Sequence, residues 1–400
     1  MSEYPSDWTT TQLQSVAKDF VVPMRDRPKR FTGSIPWIRI EDFTGKWVSR
    51  SQSGLCVDDE IIQEMNLKVH PQGSVLCSCS ARLGVCAITE RPLITNQTFI
   101  GIVPDVTRID PEYLYYLMCS KATQLQALSS GTTIAYLPRQ KFEEFEISIP
   151  PLPEQKKIAE ILSGINLCIS STKRKLAKRE IMLQSIIGRL FMMPQASGDI
   201  TGDHENDTPS VRRVPLKEVC TVRQGLQIPI SERSKTRGKG MLPYLTVSWI
   251  NSNFSIEKAE YIDAPRSSVI LEEGEFVVAR TGTVGRVFDG IRCVFHNNFF
   301  AVKCLPCINS NYLKHYLKSD ALQNEMLERA GSTSIPDLNH GDFYSIEVPL
   351  HEPDNQKSIV AVIDSMESEI CQIKKSIDAL QNLLIGVSSD LLSGRMRVSI

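Results

Sequence analysis

The chain has 400 residues and 42% apolar content, which is enough for two or three packed domains and too much core for a disordered protein. No stretch reaches the roughly 18 uninterrupted apolar residues of a membrane span, and residues 1–7 lack the layout of a signal peptide, so we expect a cytoplasmic protein. The formal net charge of −1 argues against binding of nucleic acid through overall charge, because such domains are usually basic. Any such contact would depend on local basic segments or on partner subunits.

The first local concentration of positive charge lies near the start of the chain. It consists of Arg25, Arg27, Lys29 and Arg30, and it precedes an apolar strand pattern at residues 35–38. Lysine and arginine in loops suit neutralisation of phosphates. The alternative is a solvated loop that happens to be basic. We favour contact with DNA because an equivalent basic segment occurs later in the chain.

A series of short signals then follows. Residues 73–84 predict a turn glycine, an apolar strand and a small-residue loop that ends in glycine. Residues 95–99 contain an Asn-x-x-Phe element, Tyr113-Leu114 opens an apolar helix, and residues 130–133 form a Ser-Gly-Thr-Thr turn.

A long helix is predicted over residues 154–193. It opens with Pro153-Glu154, because proline suits the first turn and an acid complements the helix dipole. Residues at alternating steps of four and three form an a/d seam. The apolar seam positions are Ile158, Leu162, Ile165, Ile169, Leu176, Leu183, Ile186 and Leu190. Residues 194–212 are rich in Ser, Gly, Asp and Thr and predict a linker.

The second half of the chain repeats these signals in the same order at an offset near 200 residues. Residues 242–245 match 35–38, residues 274–285 match 73–84, and residues 296–300 match 95–99. The same order at a nearly constant offset indicates tandem duplication. The repeated basic segment consists of Arg233, Lys235, Arg237 and Lys239.

A second long helix is predicted over residues 353–395, and its seam coincides with the first, since Ile158 and Ile359 are 201 positions apart. Its seam positions are Ile359, Ile363, Met366, Ile370, Ile373, Ile377, Leu380, Leu384, Val387 and Leu391. Such a long seam is typical of a coiled coil. A homodimeric coiled coil between chains is one interpretation; we favour antiparallel pairing of the two helices of one chain.

The 11 cysteines are odd in number and form no regular framework, which is typical of reduced, mostly buried thiols. Two close pairs, at 77 and 79 and at 304 and 307, could suggest metal. A structural zinc site needs two such pairs at matched spacing, and the second pair has no cysteine counterpart in the repeat. We therefore expect no metal site.

Reading of DNA bases requires side chains that fork to a base edge, such as arginine to guanine. Our candidates are Arg39, Arg82, Arg139, Arg280 and Arg286. The loops at 136–141 and 337–340 are further candidates. For each of these, an ordinary surface residue is an equally good interpretation.

Motifs for catalysis are missing from the sequence. No phosphate-binding G-x-x-x-x-G-K-[ST] loop occurs, and residues 297–300, Asn-Asn-Phe-Phe, lack the proline of an amino-methyltransferase motif. We expect a non-catalytic protein. Two alternatives stay open, a free-standing DNA-modifying enzyme with unrecognised motifs and a scaffold that does not bind DNA.

Residues 150–162, Pro-Pro-Leu-Pro-Glu-Gln-Lys-Lys-Ile-Ala-Glu-Ile-Leu, closely resemble the junction between recognition domain and helix in specificity subunits of Type I restriction-modification systems. The duplicated layout resembles that family over nearly the whole chain. The second junction, residues 349–356, is a degraded version of the first. The predicted fold class is α+β, with target-recognition domains at 1–153 and 213–352 and two long helices, at 154–193 and 353–395, that form an antiparallel coiled coil.

The resemblance implies a mechanism and a set of partners. Each recognition domain would read one half of a split double-stranded DNA target, and the paired helices would set the gap. A helix of about 40 residues is about 60 Å long, whereas half-sites one DNA turn apart are separated by about 34 Å. The resemblance also implies two methyltransferase subunits and, for restriction, motor-nuclease subunits. S-adenosylmethionine, ATP and Mg²⁺ would be held by those partners, and this chain would bind no cofactor.

Overall fold

The computed structural model describes residues 4–23, 27–80, 83–128, 137–191, 211–252, 254–265, 269–331 and 336–399. The chain divides into two compact units, Met1–Lys173 with Lys375–Ile400, and Arg174–Lys374. Each unit therefore combines one globular module with a part of both long helices, so the helices are not domains apart from the modules. The linker predicted at 194–212 lies, except for its last two residues, outside the described residues.

The first module mixes strands with short helices. Its strands are β1 Thr9–Gln12, β2 Ala17–Val21, β3 Ile35–Ile38, β4 Trp47–Val48, β5 Cys56–Val57, β6 Val75–Ser78, β7 Cys86–Thr89, β8 Ile94–Thr95, β9 Phe99–Pro104 and β10 Glu146–Ile149. Its helices are α1 Asp59–Glu64, α2 Pro111–Ser120, α3 Ala122–Ala127 and α4 Arg139–Glu143, and the long helix α5, Leu152–Leu190, follows them.

The sheets of this module are small and mixed. The largest has the order β2-β9-β6-β7-β4, in which β4 pairs parallel with β7 and the other pairs are antiparallel. Strand β3 pairs antiparallel with β5 and parallel with β8, and β1 pairs with β10. The apolar face of α2, with Tyr113, Leu114 and Leu117, is buried in the core together with Ile158 and Leu162 of α5.

The second module repeats this topology. Its strands are β11 Arg213–Pro215, β12 Cys220–Gln224, β13 Met241–Leu245, β14 Tyr261–Asp263, β15 Phe276–Ala279, β16 Val287–Phe288, β17 Val294–Phe295, β18 Phe299–Cys304 and β19 Glu347–Pro349. Its helices are α6 Val247–Asn251, α7 Ser310–Leu317, α8 Asp320–Arg329 and α9 His340–Tyr344, and the long helix α10, Pro353–Leu392, follows.

Strand orders prove the duplication that the sequence predicts. The order β12-β18-β15-β16 matches β2-β9-β6-β7, and β14-β13-β17 matches β5-β3-β8, with the same parallel pair. The aligned glycines have a physical reason, because Gly84 and Gly285 both have positive φ angles of 88° and 84°. At each, a β-carbon would also collide with the helix that follows, Ala122 in one copy and Gln323 in the other.

The two long helices run antiparallel, as predicted. In the first unit the start of α5, at Ile158 and Leu162, shares a core with Leu391 at the end of α10. In the second unit Leu183 and Ile187, near the end of α5, share a core with Ile363 near the start of α10. The seam is thus occupied within one chain. All eighteen apolar seam positions are buried or half-buried.

Ion pairs add to the contact between the helices in the second unit. Glu369 lies 3.1 Å from Nε of Arg179 and 3.7 Å from Nζ of Lys175, and Lys374 pairs with Glu180 at 2.9 Å. Arg179 is one of the two polar positions on the predicted seam of α5, so this pair gives it a partner. No helix in the described part of the chain has the length and apolar character to cross a membrane.

One glutamine fastens each long helix to its module. Gln155 is buried; its Oε1 accepts from the backbone N–H of Asp110 at 2.9 Å, and its Nε2 donates to the carbonyls of Arg108 and Pro150. Asp110 caps α2. The side chain therefore ties the first turn of α5 to the loop that enters α2.

The second copy keeps the same arrangement despite its divergent junction. Gln356 is buried; its Oε1 accepts from the backbone N–H of Asn309 at 2.7 Å, and its Nε2 donates to the carbonyls of Cys307 and His351. Asn309 caps α7. Within the junction motif, the glutamine is therefore a residue that makes the same contacts in both copies.

Candidate nucleic-acid interface

The first basic segment lies directly before β3 and is attached to α1. The guanidinium of Arg27 lies 5.2 Å from the ring centroid of Phe31 and 5.7 Å from that of Trp37. Lys29 pairs with Glu64 at 3.1 Å, and Arg30 pairs with Glu60 at 2.8 Å. Arg25 lies outside the described residues.

These three cations remain accessible to a ligand. Arg27, Lys29 and Arg30 are all exposed, and an exposed ion pair contributes only about 0–1 kcal/mol. A phosphate can therefore compete with the carboxylates of α1. Acids of α1 and two aromatic rings hold these three side chains in place, which reduces the conformational entropy that they lose on binding.

The second basic segment has the same topological position, directly before β13, but divides into two kinds of cation. Arg233 is only 16% exposed, pairs with Glu260 at 3.0 Å, and donates to the carbonyl of Ile228 from two nitrogens. Its guanidinium also lies 5.0 Å from the ring centroid of Tyr244. Arg233 therefore supports the loop internally, and a phosphate would have to compete with these contacts.

The acid at this position is strongly compensated. Burial raises the pKa of Glu260, but hydrogen bonds from Lys235 and Arg233 outweigh burial and hold it below its ordinary value. Lys235, which pairs with Glu260 at 3.0 Å, is nevertheless exposed.

Arg237 and Lys239 differ from the other cations of both segments. Both are exposed, and neither forms an ion pair or a contact with an aromatic ring among the residues that the structure describes, whereas Arg27 lies against two rings. Two unpaired charges on one loop are available for phosphate contact without loss of an existing partner.

The candidate base-reading arginines of the first module are partly engaged. Arg39 is half-buried, pairs with Glu41 at 3.0 Å and lies 5.8 Å from the ring centroid of Trp37. Arg139, at the start of α4, is exposed and pairs with Glu143 at 2.6 Å. Arg82 lies outside the described residues.

In the second module the two candidates have different environments. Arg280 is only 14% exposed, pairs with Asp337 at 2.6 Å and lies 5.3 Å from the ring centroid of Phe300. It holds the loop after β15 against the loop before α9, so a base edge would have to compete with Asp337 for its guanidinium. Arg286 is exposed, lies 5.6 Å from the ring centroid of Phe288 and contacts Oδ1 of Asn251 at 3.4 Å.

Comparison with known proteins identifies the family. The family model described as "Type I restriction modification DNA specificity domain" matches residues 5–180 and again residues 211–382, which together make up most of the chain. The chain belongs to this family. It is therefore a DNA-recognising specificity subunit and not a catalytic one.

Relatives and solved structures agree with this assignment. The chain is 23% identical to the "Type I restriction enzyme MjaIX specificity subunit" of Methanocaldococcus jannaschii, over 100% of this chain and 95% of that protein. It is 22% identical to the MjaVIII specificity subunit of the same organism, over 76% of this chain and 75% of that protein. The fold is similar to the S subunit from M. genitalium, with a TM-score of 0.55 at 16% identity and coverage of 98% and 96%.

A second solved structure has a greater similarity in fold. It belongs to a study of "complex assembly" and "conformational transition of the type I R-M system", and its TM-score is 0.65 at 17% identity, with 99% of this chain and 100% of that chain covered. The two folds therefore correspond over their full lengths.

Two exposed isoleucines of the specificity subunit were missed by the sequence reasoning. Ile230 is 78% exposed and lies in the second basic segment, where its carbonyl accepts from the backbone N–H of Arg233. Ile256 is 87% exposed and lies in the turn before Glu260. Apolar side chains can contact the thymine methyl group in the major groove. A large aliphatic residue inside an otherwise polar loop is the sequence signal that could have identified them.

Proposed function

We propose that this specificity subunit recognises an asymmetric, two-part double-stranded DNA target, with each module reading one part. The observation that supports this most is the duplicated module, in which one topology carries two different sets of loop residues. Identical folds place the loops equivalently, whereas different side chains present different donors and acceptors to base edges.

The basic side chains of the two segments differ in their ion pairs. In the first module Lys29 and Arg30 are paired with acids of α1, whereas in the second module Arg237 and Lys239 are unpaired among the described residues. Phosphate contacts position a protein, and base contacts specify the sequence. We propose Arg27, Lys29, Arg30, Lys235, Arg237 and Lys239 as phosphate contacts, and Arg39, Arg139 and Arg286 as base-reading residues.

The proposed protein partners are two methyltransferase subunits, with motor-nuclease subunits added for restriction. The long helices carry exposed aliphatic residues outside their seam, such as Leu167, Ile181, Val362 and Ile385. A docked subunit would cover these residues together with the polar faces of the helices. S-adenosylmethionine, ATP and Mg²⁺ would be bound by those partners, in the cytoplasm, and not by this chain.

The test is to express the chain with its neighbouring methyltransferase and to map methylated adenines across the host genome. The proposal requires a split, asymmetric motif with a fixed gap. A methyltransferase with an inactivated catalytic motif serves as the control for background methylation. The motif must disappear when this chain is deleted; methylation that is unchanged by the deletion, or a symmetric uninterrupted motif, would contradict the proposal.

A further inference from the structure

A histidine and two carboxylates meet where α7 of the second module packs against α10. His315 projects from α7, and its side chain is only 6% exposed. Its Nε2 lies 2.8 Å from Oδ1 of Asp364, and its Nδ1 lies 3.7 Å from Oε1 of Glu367. Asp364 and Glu367 stand three residues apart on α10, so both face the same side of the helix.

The first copy has hydroxyl and amide side chains at the same three positions, and one of them, Ser163, also donates to Glu112 at 2.7 Å and accepts from Nζ of Lys46 at 2.8 Å. Tyr116 of α2 is equivalent to His315, and its hydroxyl lies 3.2 Å from Oγ of Ser163 and accepts from Nδ2 of Asn166 at 3.1 Å. Ser163 and Asn166 lie 201 positions before Asp364 and Glu367, the same offset that relates Gln155 to Gln356. Both copies therefore use three polar side chains to connect the module to its long helix.

All three positions change together to metal-ligating residue types in the second copy. Tyrosine, serine and asparagine are poor ligands for a divalent transition metal, whereas imidazole and carboxylate are good ones. A hydrogen-bonded connection alone would not need two carboxylates around one imidazole. The replacement thus adds negative charge beside a buried ring, which a bound cation would balance.

The geometry is that of an incomplete coordination shell. One ring nitrogen and one oxygen from each carboxylate lie within 4.8 Å of one another. The Nδ1 atom of His315 is buried and makes no hydrogen bond among the described residues. Asp364 is 52% exposed, so solvent can reach the cluster and supply further ligands. Because Asp364 approaches Nε2 and Glu367 approaches Nδ1, ligand bonds of about 2.0–2.2 Å to one ion would need rotation of the imidazole as well as of the carboxylate side chains.

We propose that His315, Asp364 and Glu367 bind one divalent transition-metal ion, which fixes α7 of the second module to α10. The mixed nitrogen and oxygen set favours ions such as Zn²⁺ or Co²⁺ over Mg²⁺, which prefers oxygen ligands alone. The proposal departs from the expectation that this chain binds no metal, which was argued from the cysteine pairs and did not consider this cluster. The proposal is independent of the DNA target.

The experiment uses the full chain, stripped of metal with a chelator, and Co²⁺ as the probe. Isothermal titration gives stoichiometry and affinity, and the visible spectrum reports the ligands, because a thiolate ligand adds an intense near-ultraviolet band. The decisive variant is H315Y/D364S/E367N, which gives the second copy the three hydroxyl and amide residues of the first and removes all three proposed ligands. D378N, an exposed acid on the same helix, is the matched control.

The expected result is one Co²⁺ bound per chain without a thiolate band. Affinity should fall at least about tenfold in H315A, binding should be lost in the triple variant, and D378N should be unchanged. Metal should also raise the Tm of the wild-type chain and not that of the triple variant. A wild-type chain that binds no Co²⁺, a triple variant that binds like wild type, or a thiolate spectrum would each overturn the proposal.

Discussion

Basic side chains that look alike in the sequence have different roles in the folded chain. Arg233 and Arg237 lie four residues apart in one segment, yet the first is largely buried against Glu260 and the second is exposed without an ion-pair partner in the described part of the chain. Arg233 already donates from Nε and from both terminal nitrogens of its guanidinium, so a phosphate would have to compete with these partners. Availability for phosphate contact therefore has to be judged for each residue separately.

The first prediction concerns these cations. Arg237→Ala and Lys239→Ala should each weaken binding to target and non-target DNA to a similar extent. Each should lower the dependence of log affinity on log salt by about 0.9, the value for one phosphate contact. The measurement is fluorescence anisotropy of the complex with the methyltransferase across a salt series. Arg233→Ala is the comparison and should mainly lower the Tm; an unchanged salt slope in R237A and K239A would remove them from the interface.

A buried histidine gives a prediction about pH. Burial lowers the pKa of His70 to about 3, and its Nε2 is hydrogen-bonded to Thr95 at 2.9 Å. Below the ordinary pKa of about 6.5 the unfolded chain binds a proton that the folded chain does not, so the free energy of unfolding falls as the pH is lowered from 6.5 towards 3. It is unaffected by this residue above 6.5.

The expected slope is about 1.4 kcal/mol per pH unit. His70→Gln keeps a hydrogen-bonding group but does not titrate, so its unfolding free energy should decrease less between pH 6.5 and pH 5 than that of wild type. Urea denaturation at each pH provides the measurement. Parallel curves for the two proteins would show that His70 is protonated in the folded state.

At the scale of elements, the long helices depend on two features, the seam between them and the glutamine at each start. The seam follows from periodicity, since side chains at steps of three and four share one helix face. The glutamines satisfy backbone groups at the entrance of α2 and of α7, which would otherwise be buried without a partner.

We predict that replacing either glutamine lowers the free energy of unfolding by a similar amount. Gln155→Ala and Gln356→Ala should each lower the free energy of unfolding by about 1–3 kcal/mol, since a buried N–H group loses its acceptor. Gln140→Ala, at an exposed position of α4, should have little effect. Chemical denaturation checks all three. If Q356A matched Q140A, the equivalence of the two junctions would fail.

The prediction for the seam uses adjacent residues of α10. Ile363 is fully buried, so Ile363→Ala should cost about 2–5 kcal/mol through the cavity that it leaves. Val362 is exposed, so Val362→Ala should change stability by no more than about 0.5 kcal/mol. Thermal and urea unfolding of the two variants can be compared directly. Equal losses of stability in the two variants would contradict the burial of Ile363 in the seam.

At the scale of the whole molecule, the compact units do not follow chain order. The first unit contains both the start of the chain and residues 375–400. Within it, Arg397 donates to Asp7 at 2.6 Å and to the buried Glu154 at 2.7 Å. The hydrogen bond that Arg397 donates to Asp7 lowers the pKa of Asp7, and the hydrogen bonds that it donates to Glu154 and to Asp7 raise the pKa of Arg397.

Arg397→Gln should therefore destabilise the first unit selectively, because the buried Glu154 would lose its guanidinium partner. Hydrogen exchange should increase around residues 5–12 and at the start of α5, and should stay unchanged in β15 and β18 of the second unit. Arg395→Gln, which breaks an exposed pair with Asp390, is the control. An equal increase in hydrogen exchange in both units of R397Q would show that the two units unfold together.

The sequence alone determined the duplication, the α+β class and both long helices, and it favoured antiparallel pairing of these helices over a homodimeric coiled coil. These follow from local periodicity and from a constant offset between copies, and neither requires knowledge of the packed core. The sequence also identified the glycines at 84 and 285, since a positive φ angle is a preference of the single residue.

Only the tertiary structure decided which cations are available and which polar residues share a site. Arg280 and Asp337 are 57 positions apart, and His315 lies 49 positions before Asp364. Contacts at such separations are set by how helices and sheets pack, and no local pattern encodes them. For the same reason the sequence identified the basic segments but did not separate Arg233, which supports its loop, from Arg237, which is available to bind.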